Sequence, residues 1–312
     1  MKKIISIFTL IIIFMFILFL INNNKVVLES ITFSISIWKD NLIPNLFPFF
    51  ILSSIIIEYN LIRVFNNIFS PIFSKMFHLP KELSYIFLIS LISGFPSSSK
   101  YINDLLDKNL IDEDIANHLL IFTNYANPLF ILGFIGNLLN KELAIIILIC
   151  HILSGISVGY IFNINNKNYK KIDLFRKETH SKIGNVLTKS IVDSINTLLL
   201  LLGIVTVFVI ISNFIRITFN FNNTIYLFIS SILEMSQGVM NIGISDINIY
   251  LKTILITGII SFNGLSIHAQ IVGILSKYKI KYKYFLLSRI LHSIIAIILV
   301  SIIIFFKYLY HL

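Results

Sequence analysis

The chain has 312 residues, of which 56% are hydrophobic and 13% charged, and a mean hydropathy of +0.88, which excludes an ordinary soluble domain. A formal net charge of +10 would suggest a nucleic-acid partner in a soluble protein. Here most Lys and Arg stand in short segments between apolar runs, where they set orientation, so the lipid bilayer is the partner and nucleic acid is excluded. The single cysteine, Cys150, has no partner for a disulfide or a CxxC pair. No His or carboxylate pair has metal-ligand spacing, so neither metal nor cofactor is expected.

Met1-Lys2-Lys3 and the apolar run 4–21 outline a signal peptide, but Asn22-Asn23-Asn24-Lys25 offers no small-residue cleavage site. The run is long enough to span and reads as an uncleaved first helix. A second apolar window covers 36–58. Residues 62–79 set Phe65, Ile68, Phe69, Ile72, Phe73 and Phe77 opposite Arg63, Asn67 and Lys75, the pattern of an amphipathic helix lying at the interface. The stretch 83–107 is interrupted by Gly94-Phe95-Pro96, and 115–139 by Asn124-Tyr125-Ala126-Asn127-Pro128. Uninterrupted windows follow at 143–162 and 194–215. A short stretch, 224–241, carries Glu234-Met235-Ser236-Gln237-Gly238; then 250–276 is broken by Ser261-Phe262-Asn263-Gly264, and 285–306 is apolar throughout its ends. Breaks at membrane depth are tolerated only where protein or a water-filled cavity satisfies the freed backbone, so all four should face inward.

Orientation follows from four basic segments: Lys2 and Lys3; Arg63, Lys75 and Lys81; the run from Lys167 to Lys182; and Lys277, Lys279, Lys281 and Lys283. All four are cytoplasmic, as the positive-inside rule asks, if 83–107 and 224–246 are re-entrant hairpins and the other stretches cross. The N-terminus is then cytoplasmic. "YIFLISLISGFPSSSK" (85–100) aligns with "YLFISSILEMSQGVMN" (226–241), pairing Ser93 with Glu234, and "IFTNYANPLFI" (121–131) aligns with "ISFNGLSIHA" (260–269). The expected fold is an all-α polytopic membrane protein, an inverted-topology repeat with re-entrant hairpins and discontinuous helices. Its parts are an N-terminal helix and loop (1–35), a first repeat (36–163), a basic cytoplasmic linker (164–185) and a second repeat (186–312).

The breaks concentrate the chemistry. Gly94 and Pro96 end one half-helix, and Ser97, Ser98 and Ser99 are N-cap candidates for the next, whose free N–H groups and positive dipole end attract anions. Lys100 adds a full charge there, or else snorkels to the cytoplasmic interface. The string is not a phosphate-binding P-loop, because Ser99 stands where the second Gly belongs and no strand precedes it. Asn124 and Asn127 precede the ring of Pro128, which frees carbonyls; their amides either meet a solute or tie the kink to neighbouring helices. Glu234 is an intramembrane carboxylate, either a proton carrier, a counter-charge to Lys100 or a helix cap. Ser236, Gln237 and Gly238 flank it. Asn263, Gly264, Ser266, His268 and Gln270 place polar groups around the last break; His268 either titrates near neutrality or is a buried neutral ring.

Ser93-Gly-Phe-Pro-Ser97, Asn127-Pro-Leu-Phe-Ile131, the Glu234 to Gly238 segment and Gly264-Leu-Ser-Ile-His-Ala-Gln270, in that order and at these distances, resemble the sporulation integral membrane proteins of the nucleoside-recognition, or Gate, domain family. The resemblance covers roughly 36–306. The family usually has Gly or Ala after its Ser-Gly-Phe/Tyr-Pro, where this chain has serines. The resemblance implies a role in endospore formation, with the protein made in the mother cell and placed in the outer forespore membrane. It implies transport of dipicolinic acid toward the forespore or, from the related concentrative carriers, of a nucleoside-like solute.

For a flat pyridine dianion, Lys100 and the Ser97 helix end form one anchor, and Phe95, Tyr125 or Phe262 can pack on the ring. A protonated His268 or the backbone of the second hairpin are candidates for the other anchor. The expectation is a non-enzymatic carrier of a small organic anion, with further copies of the chain as an optional partner. A scaffold for spore-envelope assembly is the competing class. An intramembrane enzyme is disfavoured because no nucleophile–base pair or HExxH motif is present.

Overall fold

A computed structural model describes residues 2–59, 70–71, 73–162 and 183–310. All of its regular structure is helical. The first part comprises α1 (Lys2–Asn22), α2 (Asn24–Ile37), a π-helical turn (Trp38–Leu42) and α3 (Ile43–Glu58). The residues after Asn23, expected to be loop, are helical and run through the π turn into α3. Their inward side chains, Ser30, Ser34 and Ile37, are buried, and the serine hydroxyls donate to carbonyls four residues back (2.7 and 2.8 Å). That lets a moderately polar helix sit against an apolar neighbour. The expected amphipathic helix 62–79 lies partly outside the described residues. Its described end is core rather than interface: Phe77 stacks on Phe122 at 4.1 Å and both rings are buried. The linker 164–185 lies outside the described residues up to 182.

Next come α4 (Ser84–Ser93) and α5 (Ser97–Asp107), then α6 (Glu113–Phe122), an extended break, a π-helical turn (Phe130–Ile135) leading into Gly136–Leu138, and α7 (Lys141–Phe162). The chain resumes with α8 (Ile183–Thr218), followed by α9 (Asn223–Leu233), α10 (Met235–Ile244), α11 (Ile249–Phe262), α12 (Gly264–Ile274) and α13 (Tyr282–Tyr310). The order hairpin, broken helix, long helix thus occurs twice. Among the described residues, four stretches are long and apolar enough to cross a membrane: Lys141–Phe162, Ile183–Thr218, the broken Ile249–Ile274 and Tyr282–Lys307; the pair Leu10–Asn22 and Asn24–Leu42, bent by 91°, makes a fifth if it is one span.

The packing fixes relative directions. Asn213 Nδ2 donates to Ser30 Oγ at 2.9 Å and Trp38 Nε1 to the Leu198 carbonyl at 2.7 Å, so α2 and its continuation run antiparallel to α8. Lys307 Nζ, near the end of α13, pairs with Glu142 Oε1, at the start of α7, at 2.5 Å; these two long helices are antiparallel neighbours. At the opposite face, the loop after α12 is clasped to α5 and α6. Tyr278 Oη donates to Asp107 Oδ1 (2.6 Å), the Lys279 and Lys281 amides donate to Glu113 Oε1 (3.0 Å) and Asn117 Oδ1 (2.6 Å), and Lys281 Nζ meets Asp114 Oδ1 at 2.7 Å. The end of the first hairpin and the lysine-rich 277–283 loop therefore share one face, as the charge pattern requires.

Candidate functional site

In the first hairpin the turn is made by Gly94, whose φ of 74° and ψ of −178° lie in a region essentially restricted to glycine. A Cβ there would stand 2.5 Å from the Asn127 nitrogen, so the hairpin tip touches the first break through glycine's bare backbone. Phe95 N–H donates to the Tyr125 carbonyl at 2.8 Å, and Asn127 Nδ2 donates to the Ser93 carbonyl at 3.1 Å. Asn127 Oδ1 accepts from the Leu129 amide at 2.7 Å, replacing a helical bond that Pro128 prevents.

The expected serine caps are absent. Pro96 holds the N-cap position of α5 with no side-chain cap bond, and Ser97, Ser98 and Ser99 fill the first turn with buried, unpartnered hydroxyls. The Ser97, Ser99 and Lys100 amides are occupied by the Gly94 and Pro96 carbonyls. The helix end is consequently less open to an anion than its sequence suggests. The physical reason is the tight Gly-Phe-Pro turn, which folds its own carbonyls back onto the first amides.

The second hairpin turns on one extended residue, Glu234 (φ −136°, ψ 114°), whose side chain accepts from the Gln237 amide at 2.6 Å and so caps α10. Gly238 is not part of the break. It lies within α10, where a Cβ would stand 2.4 Å from Ser231 Cα, so it permits the two arms to close. Gln237 turns its Nε2 to Tyr226 Oη at 3.0 Å. At the last break Asn263 is left-handed (φ 78°) and neither atom of its amide has a partner. Gly264 (φ +61°) brings this break against the Met235 nitrogen.

A cleft of about 530 Å³, its open mouth included, is lined by both hairpins, the first break and the helix that follows the last break. Phe95 comes from the first hairpin, Asn127 and Phe130 from the first break, Glu234, Met235 and Ser236 from the second hairpin, and Ile267 and Gln270 from α12. Asn41, Leu42, Leu46, Leu201 and Val205 close it from the π turn, α3 and α8. Glu234 is 2% exposed and Gln270 3%. Lys100 is elsewhere. With Pro96 and Ser97 it lines a second cleft of about 600 Å³, walled by Phe50, Tyr101, Thr197, Leu200 and Ile274. Leu46 and Phe50 on α3, like Leu201 and Thr197 on α8, are one helical turn apart, so the two clefts adjoin along one groove at the Phe95-Pro96 tip.

Ser266 lies beside the Glu234 carboxyl. Asn124 points away from the cleft, with Nδ2 on its own helix at the Leu120 carbonyl (2.7 Å). His268 also faces away. Its Nε2 lies 3.0 Å from the Phe262 carbonyl and its Nδ1 3.1 Å from Tyr282 Oη; since a carbonyl only accepts, Nε2 carries the hydrogen and Nδ1 receives the phenol's.

Sequence reasoning missed the group that holds the first break. Arg289 of α13 is fully buried; its Nη1 donates to the Asn124 carbonyl at 3.0 Å and its Nη2 to the Ile121 carbonyl. A guanidinium thus meets carbonyls that the broken α6 leaves without helical partners, at the negative end of its dipole. Nη1 also reaches His292 Nδ1 at 3.1 Å, and His292 Nε2 the His151 carbonyl at 2.8 Å. Arg cannot accept, so His292 holds its hydrogen on Nε2. His151 of α7 has the other tautomer: Nε2 accepts from the Ala126 amide (2.9 Å) and Nδ1 donates to Ser261 Oγ (2.9 Å). One ring therefore bridges the first break to the last turn before the second. Arg289 and His292 stand three apart in an apolar run, a signal that an intramembrane ionisable residue gives by default.

Hairpins and broken helices that converge on one cleft, lined mostly by apolar side chains, in a chain with four apolar helices of membrane length among the described residues, define a polytopic membrane protein. Residues 41–142 match the family model described as Gate, nucleoside recognition. The chain is similar to the sporulation integral membrane protein YlbJ of Bacillus subtilis (strain 168), with 25% identity over 320 aligned positions that cover 90% of this chain and 78% of that protein. No solved structure gives a significant match.

Proposed function

We propose that the protein is a carrier of a small planar organic anion, dipicolinic acid foremost, moved from the mother cell across the outer forespore membrane during sporulation. The observation that carries the reading is the cleft to which both hairpins and both broken helices contribute. A site shared between two repeats suits alternating access, in which one bundle rocks against the other around bound solute. The antiparallel course of α7 and α13 supports an inverted relation between the halves. Lys100 would receive a carboxylate in the second, adjoining cleft. Phe95 and Phe130 would take the ring in the central one, with the Asn41, Asn127 and Gln270 amides around its polar edge. No covalent step is assigned. The sporulation relative supports the setting; further copies of the chain are a compatible partner.

A nucleoside-like solute is the second reading, favoured by a specific placement: the central cleft holds a carboxylate and amides, while the lysine is in the adjoining cleft. Purified protein in proteoliposomes, offered labelled dipicolinate and labelled nucleosides in parallel, separates the two. Dipicolinate uptake is expected; uptake of nucleoside alone would replace the first reading by the second, and a scaffold would take up neither.

A further inference from the structure

Glu234 is the single ionisable side chain among the residues that line the central cleft. Charged groups on the surrounding elements are engaged elsewhere. On α8, Arg216 lies over the Tyr226 ring at 4.4 Å, and Lys189 and Asp193 are two or more turns from Leu201. On α11, Lys252 Nζ donates to the Gly243 carbonyl at 2.8 Å. In the π turn, Lys39 and Asp40 pair with each other at 3.5 Å on the outer surface. His268 on α12 is bound to Phe262 and Tyr282, and Lys100 lines the other cleft. Among the described residues, then, no cation compensates a negative charge on Glu234.

A buried carboxylate facing a carboxylated solute across one cleft lined mostly by apolar side chains would leave two like charges desolvated together, which is unfavourable both by repulsion and by burial. Resting on the carrier reading above, we infer that Glu234 is the coupling site at which a proton is taken up with each anion and released with it on the other side. Oε2 is committed as acceptor to the Gln237 amide, so the proton resides on Oε1. From there the neutral carboxyl donates to the solute carboxylate. Binding of anion and proton is thus mutually reinforcing, and empty Glu234 returns to the carboxylate, whose oxygens the α10 amide and the Ser236 and Ser266 hydroxyls beside it can solvate.

The test uses the full chain in proteoliposomes with the membrane potential clamped at zero, labelled dipicolinate as probe, and two measurements: exchange at equal pH, and accumulation under an imposed gradient acid on the uptake side. One proton per anion predicts about tenfold accumulation for each pH unit of gradient, since a unit is a tenfold difference in proton activity. Exchange with no gradient-driven accumulation overturns the coupling while leaving the carrier reading intact; absence of exchange overturns the carrier reading and the coupling with it. Glu234→Gln is expected to lose the gradient response, and a Gln variant that still accumulates dipicolinate overturns the assignment to Glu234. Glu234→Asp keeps a carboxyl at the same turn and is expected to keep both exchange and gradient response; loss of either in that variant also overturns it.

Discussion

Replacing Gly94 with Ala perturbs the point where the first hairpin meets the first break. The backbone there has φ 74° and ψ −178°, and holding a non-glycine residue in that region costs of order 1–3 kcal/mol. The new Cβ would also lie 2.5, 2.8 and 2.9 Å from the nitrogen, Cα and Cβ of Asn127. Those are mostly backbone atoms, so no side-chain rotation relieves the contact. Moving the tip away stretches the Phe95 N–H bond to the Tyr125 carbonyl and the Asn127 Nδ2 bond to the Ser93 carbonyl, each worth about 1 kcal/mol. Together the loss is about 3–5 kcal/mol, or a fall of roughly 10 °C in melting temperature on the scale of smaller domains. The comparison is Gly203→Ala in α8, where a Cβ meets nothing within 4 Å and a helical alanine gains about 0.5–1 kcal/mol. Both variants are melted in detergent beside the wild type, with monodispersity as a second readout. A Gly94→Ala protein that melts within about 2 °C of Gly203→Ala would refute the close-contact reasoning.

Arg289→Leu leaves the Ile121 and Asn124 carbonyls and His292 Nδ1 without their donor, and at about 1–3 kcal/mol per buried orphan should cost several kcal/mol of detergent stability. Arg289→Lys keeps the charge without the fork and should fall between, and equal melting of all three proteins would remove the clasp. The loop clasp at 276–283 has its own pH window. The Tyr278 hydroxyl holds the Asp107 carboxyl below the usual carboxylate range, and the same bond pushes Tyr278 up to about 12. A depressed acid stabilises above its unfolded pKa and loses that contribution as pH falls through the lower folded value; a raised phenol does so below its unfolded pKa and loses it as pH rises through about 12. Protection of the 277–281 amides, taken relative to the intrinsic exchange rate at each pH, should therefore be constant across neutral pH and fall only below about 4 or near that upper limit, and Tyr278→Phe should flatten both edges.

The breaks were legible because glycine, proline and asparagine stand out in an apolar run, and the shared face of 107–114 and 277–283 was legible because lysines mark it. What could not be read was which atoms the breaks satisfy. Arg289 and His292 are diluted in a 20-residue hydropathy window of about the length that crosses a bilayer, and only their three-residue spacing, aimed at a break more than 160 positions away in sequence (165 for the Asn124 bond), gives them meaning. The separation of Lys100 from Glu234 was likewise hidden. Both flank hairpin tips, but the first hairpin turns Lys100 into the cleft below its tip, while Glu234 is itself the tip of the second. The helical 24–37 segment escaped notice because its serines bond within their own helix, a device invisible to hydropathy.

The two halves share an order of parts but hold one asparagine at each break differently. At the first, Asn127 is tied to the Ser93 carbonyl and the Leu129 amide, and Arg289 and His151 hold its backbone. At the second, both side-chain amide atoms of Asn263 lack partners among the described residues, as do Asn124 Oδ1 and Tyr125 Oη beside Asn127 at the first. Buried polar atoms without partners are costly, so they belong where water or solute completes them, and bonded ones where the frame must stay fixed. Asn127 is then a fixed point of the frame and Asn263 a loosely held one. Paired substitutions test this: Asn127→Gly removes the side-chain bonds to the Ile92 and Ser93 carbonyls and from the Leu129 amide and should lower stability by about 2–3 kcal/mol. Asn263→Gly removes none and suits the left-handed conformation, so its melting should stay within about 1 kcal/mol of wild type. Equal losses at the two asparagines would mean that Asn263 is held as firmly as Asn127, and the contrast between them would fall.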